Sequence, residues 1–130
     1  MKKIFQLAVV LMAFVPAVCF GQSEKKTWAE LKSFHTLMSA SFHPAEEGNF
    51  APLRQNAEEM FKAAKKWKEA EVPATYKPKE TKEALKELLI KCGALHKAVV
   101  ANKPDQELKV MITEAHDVFH KIVGECRNAD

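Results

Sequence analysis

Proline placement is the strongest constraint on what this chain can fold into. Beyond residue 21, Pro44 and Pro52 bracket one connection, Pro73 and Pro78 a second, and Pro104 marks a third, with proline-free segments of about twenty residues between them. Proline has no amide hydrogen and clashes with the carbonyl four residues back, so uninterrupted helices belong between prolines. Each segment also repeats apolar residues at alternating steps of three and four, one stripe on a helix. The first helix is expected over about 23–42, with Trp28, Leu31, His35, Met38 and Phe42 inward. The second is expected over about 51–71, with Pro52 in its first turn and Leu53, Ala57, Met60, Ala64 and Trp67 on its stripe. The third should run over about 78–102 on Leu85, Leu88, Cys92, Leu95 and Val99. The fourth should run over about 105–127 on Leu108, Ile112, Ala115, Phe119, Ile122 and Cys126. Asp105 and Glu107 near its start, and Lys121 and Arg127 near its end, suit the helix dipole. Runs of alternating β-branched residues are missing, so strands are not expected. The reading is an all-α, up-down-up-down antiparallel four-helix bundle with short links. The most irregular link is Pro44 to Pro52, PAEEGNFAP, which has room for a short turn of helix.

The first 21 residues read differently. Lys2 and Lys3 precede an apolar run from Ile4 to Phe20, broken only by Gln6 and Pro16, with small residues before Gln22. That is the pattern of a secretory signal peptide, and its length and flanks suit a spanning helix poorly. Cys19 follows Val18, a poor match to a lipid-attachment site, so cleavage after Gly21 reads better. The expected organisation is a signal peptide over 1–21 and one bundle domain over 22–130, periplasmic or secreted, with no stable membrane insertion after processing. The formal charge of +3 falls to +1 once Lys2 and Lys3 leave. Net charge therefore gives no reason to expect a nucleic-acid partner.

Cys92 and Cys126 remain, in an oxidising compartment where a disulfide is the first thought. Helix register argues against it. Across a turn near Pro104, Cys92 faces the height of Ala115, eleven residues from Cys126, or roughly 16 Å at about 1.5 Å per residue. Bridged cysteines keep their Cα atoms within about 7 Å. Both are expected to be buried apolar thiols.

Candidate chemistry is sparse. Phosphate-binding glycine loops and nucleophile elbows are missing. Adjacent Glu46 and Glu47 lack a fixed partner for acid–base work, and the lysines at 62, 65, 66 and 68 read as a solvated face. A non-enzymatic protein is expected. The five histidines stand apart: all of them, His35, His43, His96, His116 and His120, lie beyond residue 21. His116 and His120 are spaced i, i+4, which puts two imidazoles on one helix face. With the first and fourth helices antiparallel, Trp28 lies near the level of Cys126. His35 and His120 then fall roughly 10 and 9 Å above that end, and Met38 and His116 both about 15 Å above it. Three imidazoles and a thioether converge in one helix pair. That donor set suits a divalent transition metal, namely zinc, copper or nickel, with the thioether favouring copper. His43 and Glu47 could complete the shell if residues 44–49 fold back, although His43 lies about 12 Å along the helix from His35. His96 falls near the other end of the third helix and is expected to be structural or at the surface, and Met60 and Met111 to fill the core.

With Met38 on the first helix and His116 or His120 on the last, the chain resembles the cytochrome b562 and cytochrome c′ group of exported four-helix bundles. The resemblance implies haem b held between Met38 and one of the two last-helix histidines. It spans the whole bundle in architecture, but ITEA rather than CxxC precedes His116, and Met38 lies further into its helix than the b562 methionine. The leading expectation is an exported metal-binding bundle for sequestration or delivery. A b-type haem electron carrier and a purely structural or interaction module, including a homodimer, stand as alternatives.

Overall fold

The computed structural model describes residues 28–128, so the expected signal peptide and Cys19 lie outside the described residues. Four helices follow in order: α1 (Ala29–Glu46), α2 (Ala51–Glu69), α3 (Pro78–Val100) and α4 (Asp105–Gly124). Pro52 and Pro78 stand in the first turns of α2 and α3, where an amide hydrogen has no helical partner to lose. Pro104 sets the start of α4, and Asp105 and Glu107 oppose its dipole. Among the described residues the single β feature is one bridge between Tyr76 and Arg127.

Two boundaries of α1 differ from the proline reading. Trp28 is the residue before the helix and adopts an extended conformation, so it does not share the helical phase. At the far end α1 runs through Pro44 to Glu46, beyond the expected stop at Phe42. Pro44 falls in the last turn, and the carbonyl its missing amide would have served belongs to the exposed Ala40. Water can take that bond, so the break is mild. Gly48, at φ +88°, then turns the chain toward α2.

The core stripes of α2 and α4 match expectation throughout: Leu53, Ala57, Met60, Ala64 and Trp67, and Leu108, Ile112, Ala115, Phe119, Ile122 and Cys126, are all buried, and all but Ala57 belong to one cluster with α3. On α3, Leu85, Leu88, Cys92 and Leu95 are buried, and Val99 is only partly so. Met60 is core and Met111 packs at its edge. The inward face of α1 is instead Phe34, Met38, Ser41, Phe42 and Ala45, while Leu31 is half-buried and His35 exposed. Ser41 is accommodated because its hydroxyl donates to the Leu37 carbonyl at 2.8 Å and accepts from Asn56 Nδ2 at 3.3 Å. Cys92 and Cys126 are free and buried.

Each helix packs on the next, and α1 also meets α4. That last seam is much the most open, with far fewer close backbone approaches than the other three. Two fastenings hold α4 from the other side. At its start, Arg54 Nη2 donates to Asp105 Oδ1 and to the Lys103 carbonyl, both at 2.8 Å, and Nη1 donates to Asn102 Oδ1 at 3.3 Å. At its end, Lys77 N donates to the Cys126 carbonyl and Asn128 N to the Thr75 carbonyl, each at 2.8 Å. No helix among the described residues is long and apolar enough to cross a membrane.

Candidate functional site

The α1–α4 seam holds most of the chain's imidazoles. Successive residues of α1 facing that seam are His35, Met38, Ser39, Phe42 and His43, and α4 offers His116, Phe119 and His120. Together they line one cleft of about 170 Å³. Its location follows from helix periodicity. His35, Ser39 and His43 are spaced by four on the edge of the α1 stripe, as are His116 and His120 on α4.

Aromatic rings order the cleft. His116 stacks on Phe42, with centroids 3.7 Å apart and planes 8° from parallel. His35 stacks on Phe119 at 5.3 Å and 4°. His120 meets the edge of Phe119 at 5.7 Å and lies 4.3 Å from the His116 ring at a steep angle. This geometry brings the two Nε2 atoms of His116 and His120 within 3.1 Å. At that distance an Nε2–H on one ring can donate to the Nε2 of the other when the two rings hold opposite tautomers.

Charge around the pair is uneven. Burial lowers the His116 pKa first, and the neighbouring His120 lowers it further, against opposing pulls from Asp117 and Glu46. Glu46 also sits 3.6 Å from His43 Nδ1, on side chains that are half exposed or more.

The placement differs from the expected heights by about a turn on one side. His35 lies beside Phe119 and near His120, as the register suggested, whereas the ring against His116 is Phe42 rather than Met38. Met38 is 1% exposed and forms part of the cleft wall. Since α1 continues to Glu46, residues 44–46 do not fold back as a loop. Glu47 lies exposed just past the helix; neither it nor Glu46 lines the cleft, and Glu46 is the acid that approaches His43. Ser39 is not singled out by the sequence, although it lies midway between His35 and His43, and the partner of Glu46 emerges only from a helix continued past Pro44, which makes it i+3 from His43. His96 is elsewhere, against Phe61 in the α2–α3 groove.

Fold and site together define an all-α four-helix bundle with a histidine-lined seam. No family model matches the chain, and no curated protein or solved structure matches it significantly. Among the described residues no group of three or more His, Cys, Asp or Glu side chains is already gathered as a metal cage.

Proposed function

We propose that this chain is an exported, non-enzymatic metal-binding bundle whose anchoring ligands are His116 and His120. The observation that carries the reading is the 3.1 Å between their Nε2 atoms. Two imidazole nitrogens on one ion at about 2.0–2.1 Å stand roughly 2.9 Å apart at a right angle and roughly 3.4 Å apart at the tetrahedral angle. The pair thus has the spacing of a two-point chelate, with the shared proton in the ion's place. His35, Met38 and His43 border the same cleft and supply further donors of nitrogen and sulfur type. Imidazole suits zinc, copper(II) and nickel(II), and hard ions such as calcium are served poorly by it.

The reading takes the helices as alternately up and down. Support comes from the contacts: Phe34 and His35 meet Phe119, and further along α1, Phe42 meets the earlier His116. Export rests on the apolar run of residues 4–20 behind Lys2 and Lys3. Sequestration or delivery is the role in keeping with an open seam and partly exposed ligands.

Haem b between Met38 and His116 or His120 is the second reading. It fits less well because pockets for molecules of that size run to about 300–1,000 Å³, against about 170 Å³ here. The test is a titration of the purified, metal-stripped protein with zinc, copper(II) and nickel(II), with a visible spectrum taken after haem loading. One equivalent of metal should bind, and the His116→Ala/His120→Ala double variant should lose it. A Soret band with no stoichiometric metal would turn the assignment to haem, and neither would leave a structural bundle.

A further inference from the structure

We propose that His43 is the third ligand of this site and that Glu46 is the positioning residue that presents it. The inference rests on the His116–His120 reading above and extends it to the end of α1. His43 lines the same cleft as the pair, and its side chain is 67% exposed, so it can turn without displacing core atoms. Its Nδ1 faces Glu46 Oε2 at 3.6 Å. That leaves Nε2 as the nitrogen available to an ion. A metal-bound imidazole commonly gives its other N–H to a carboxylate, which sets the tautomer and strengthens the donor. The i, i+3 spacing of His43 and Glu46 on one helix supplies such a couple with no help from the rest of the fold.

Three further observations favour His43 over the other candidates. Phe42, the residue before His43, stacks on His116 with ring centroids 3.7 Å apart, so this end of α1 lies against the middle of α4. His35, by contrast, lies flat against Phe119 and has no acidic partner among the ion pairs of the described residues. Met38 is packed into the core at 1% exposure, and drawing its sulfur outward would empty that volume.

The resulting set is three imidazoles with a fourth position open toward solvent. It is a ligand class for borderline divalent ions, zinc above all, that exchange with a partner or carry a water. Neither Glu46 nor Glu47 lines the cleft, but only Glu46 pairs with His43 among the described residues, so its role is to present the ligand from behind and Glu47 has none.

The test compares zinc affinity of the purified protein with that of His43→Ala, Glu46→Gln, Glu47→Gln and His116→Ala/His120→Ala, using a chromogenic chelator as competitor. Cobalt(II) visible spectra report the ligand field in each. Helix content by circular dichroism confirms that every variant is folded, which the exposure of His43 and Glu46 leads one to expect. His43→Ala should weaken zinc binding at least a hundredfold and shift the cobalt bands. Glu46→Gln should weaken it about 10- to 100-fold, with a smaller band shift, and Glu47→Gln should match the wild type. If His43→Ala and Glu46→Gln bind like wild type while the double variant loses zinc, the third-ligand inference is overturned and the histidine pair stands. If the double variant keeps wild-type affinity, the pair itself is wrong and the inference falls with it.

Discussion

His116 lies flat on Phe42, ring centroids 3.7 Å apart and planes 8° from parallel, across the loosest seam of the bundle. This contact joins α4 to α1 where backbone packing is sparse. It also holds the imidazole at the tilt that brings its Nε2 to His120. Phe42→Leu keeps an apolar side chain there but removes the stack. Loss of an aromatic pair costs about 0.5–1.5 kcal/mol beyond area, so urea unfolding should show roughly 1–2 kcal/mol lost. The His116 ring protons, shielded by the phenyl face, should move downfield in the NMR spectrum. Unchanged His116 shifts would show that the stack is not formed in solution.

The protein should weaken in mild acid through His116. Its folded pKa is below the ordinary value because of burial and then the charge of His120. Between the two pKa values the unfolded chain binds more protons than the folded one, so stability falls as pH drops below about 6.5 and is fully present above it. Melting temperatures from pH 8 to pH 5 should decline, and His116→Gln should flatten part of that decline. An equal slope in the variant would mean another group dominates.

Cys92 should be inert in the native state. Burial pushes its thiol up to about 12, and burial also raises Cys126. Thiolate is the reactive form, so iodoacetamide at pH 8 should leave Cys92 unlabelled until denaturant is added. Cys126 lies beyond the end of α4, where the charge of Lys121 works against the burial that raises its thiol, and should label first. Peptide mapping checks the order, and a peptide joining the two cysteines would contradict both free thiols.

Arg54 should resist conservative replacement. Its guanidinium reaches Asn102, Lys103 and Asp105 at once, a fork that one ammonium cannot reproduce. The pair with Asp105 is partly exposed, which limits its worth. Arg54→Ala should cost about 1 kcal/mol in urea unfolding, from a surface pair and hydrogen bonds to charged groups. Arg54→Lys should recover less than half of it. Full recovery by lysine would reduce the contact to simple charge attraction.

Two glycines should respond with opposite sign. Gly48 has φ +88°, where a side chain is strained, whereas a methyl group on Gly124 in α4 would meet open space. Gly48→Ala should lose about 1 kcal/mol, and Gly124→Ala should gain about 0.5–1 kcal/mol from the lower helical cost of alanine. Thermal melts of the two variants provide the comparison.

Helix order, three of the four starts and the cores of α2, α3 and α4 were legible in proline placement and apolar spacing, because those elements obey one period from end to end. α1 was harder for two local reasons. Trp28 stands in extended backbone just before the helix, so a stripe that starts from it turns Leu31 and His35 inward where Phe34 in fact faces the core. Its end was placed before Pro44, although proline in a last turn with an exposed carbonyl behind it does little harm. The extra turn puts Glu46, not Glu47, beside His43. The gathering of His35, His116 and His120 could be anticipated because axial rise alone sets height. The stacking of imidazoles on Phe42 and Phe119 could not, since it depends on rotamers chosen by the neighbouring helix.

The two fastenings of α4 bear on how quickly anything can enter or leave the seam. Arg54 pins one end of that helix, and the strap of residues 75–77 on Cys126 and Asn128 pins the other. With both ends held, α4 has little freedom to swing away from α1. Entry then depends on rotation of exposed rings such as His43, a picosecond-to-nanosecond event, and not on helix travel in microseconds to milliseconds. An occupant of the cleft would be gained and lost at rates set by its own bonds to the side chains, with the scaffold standing still.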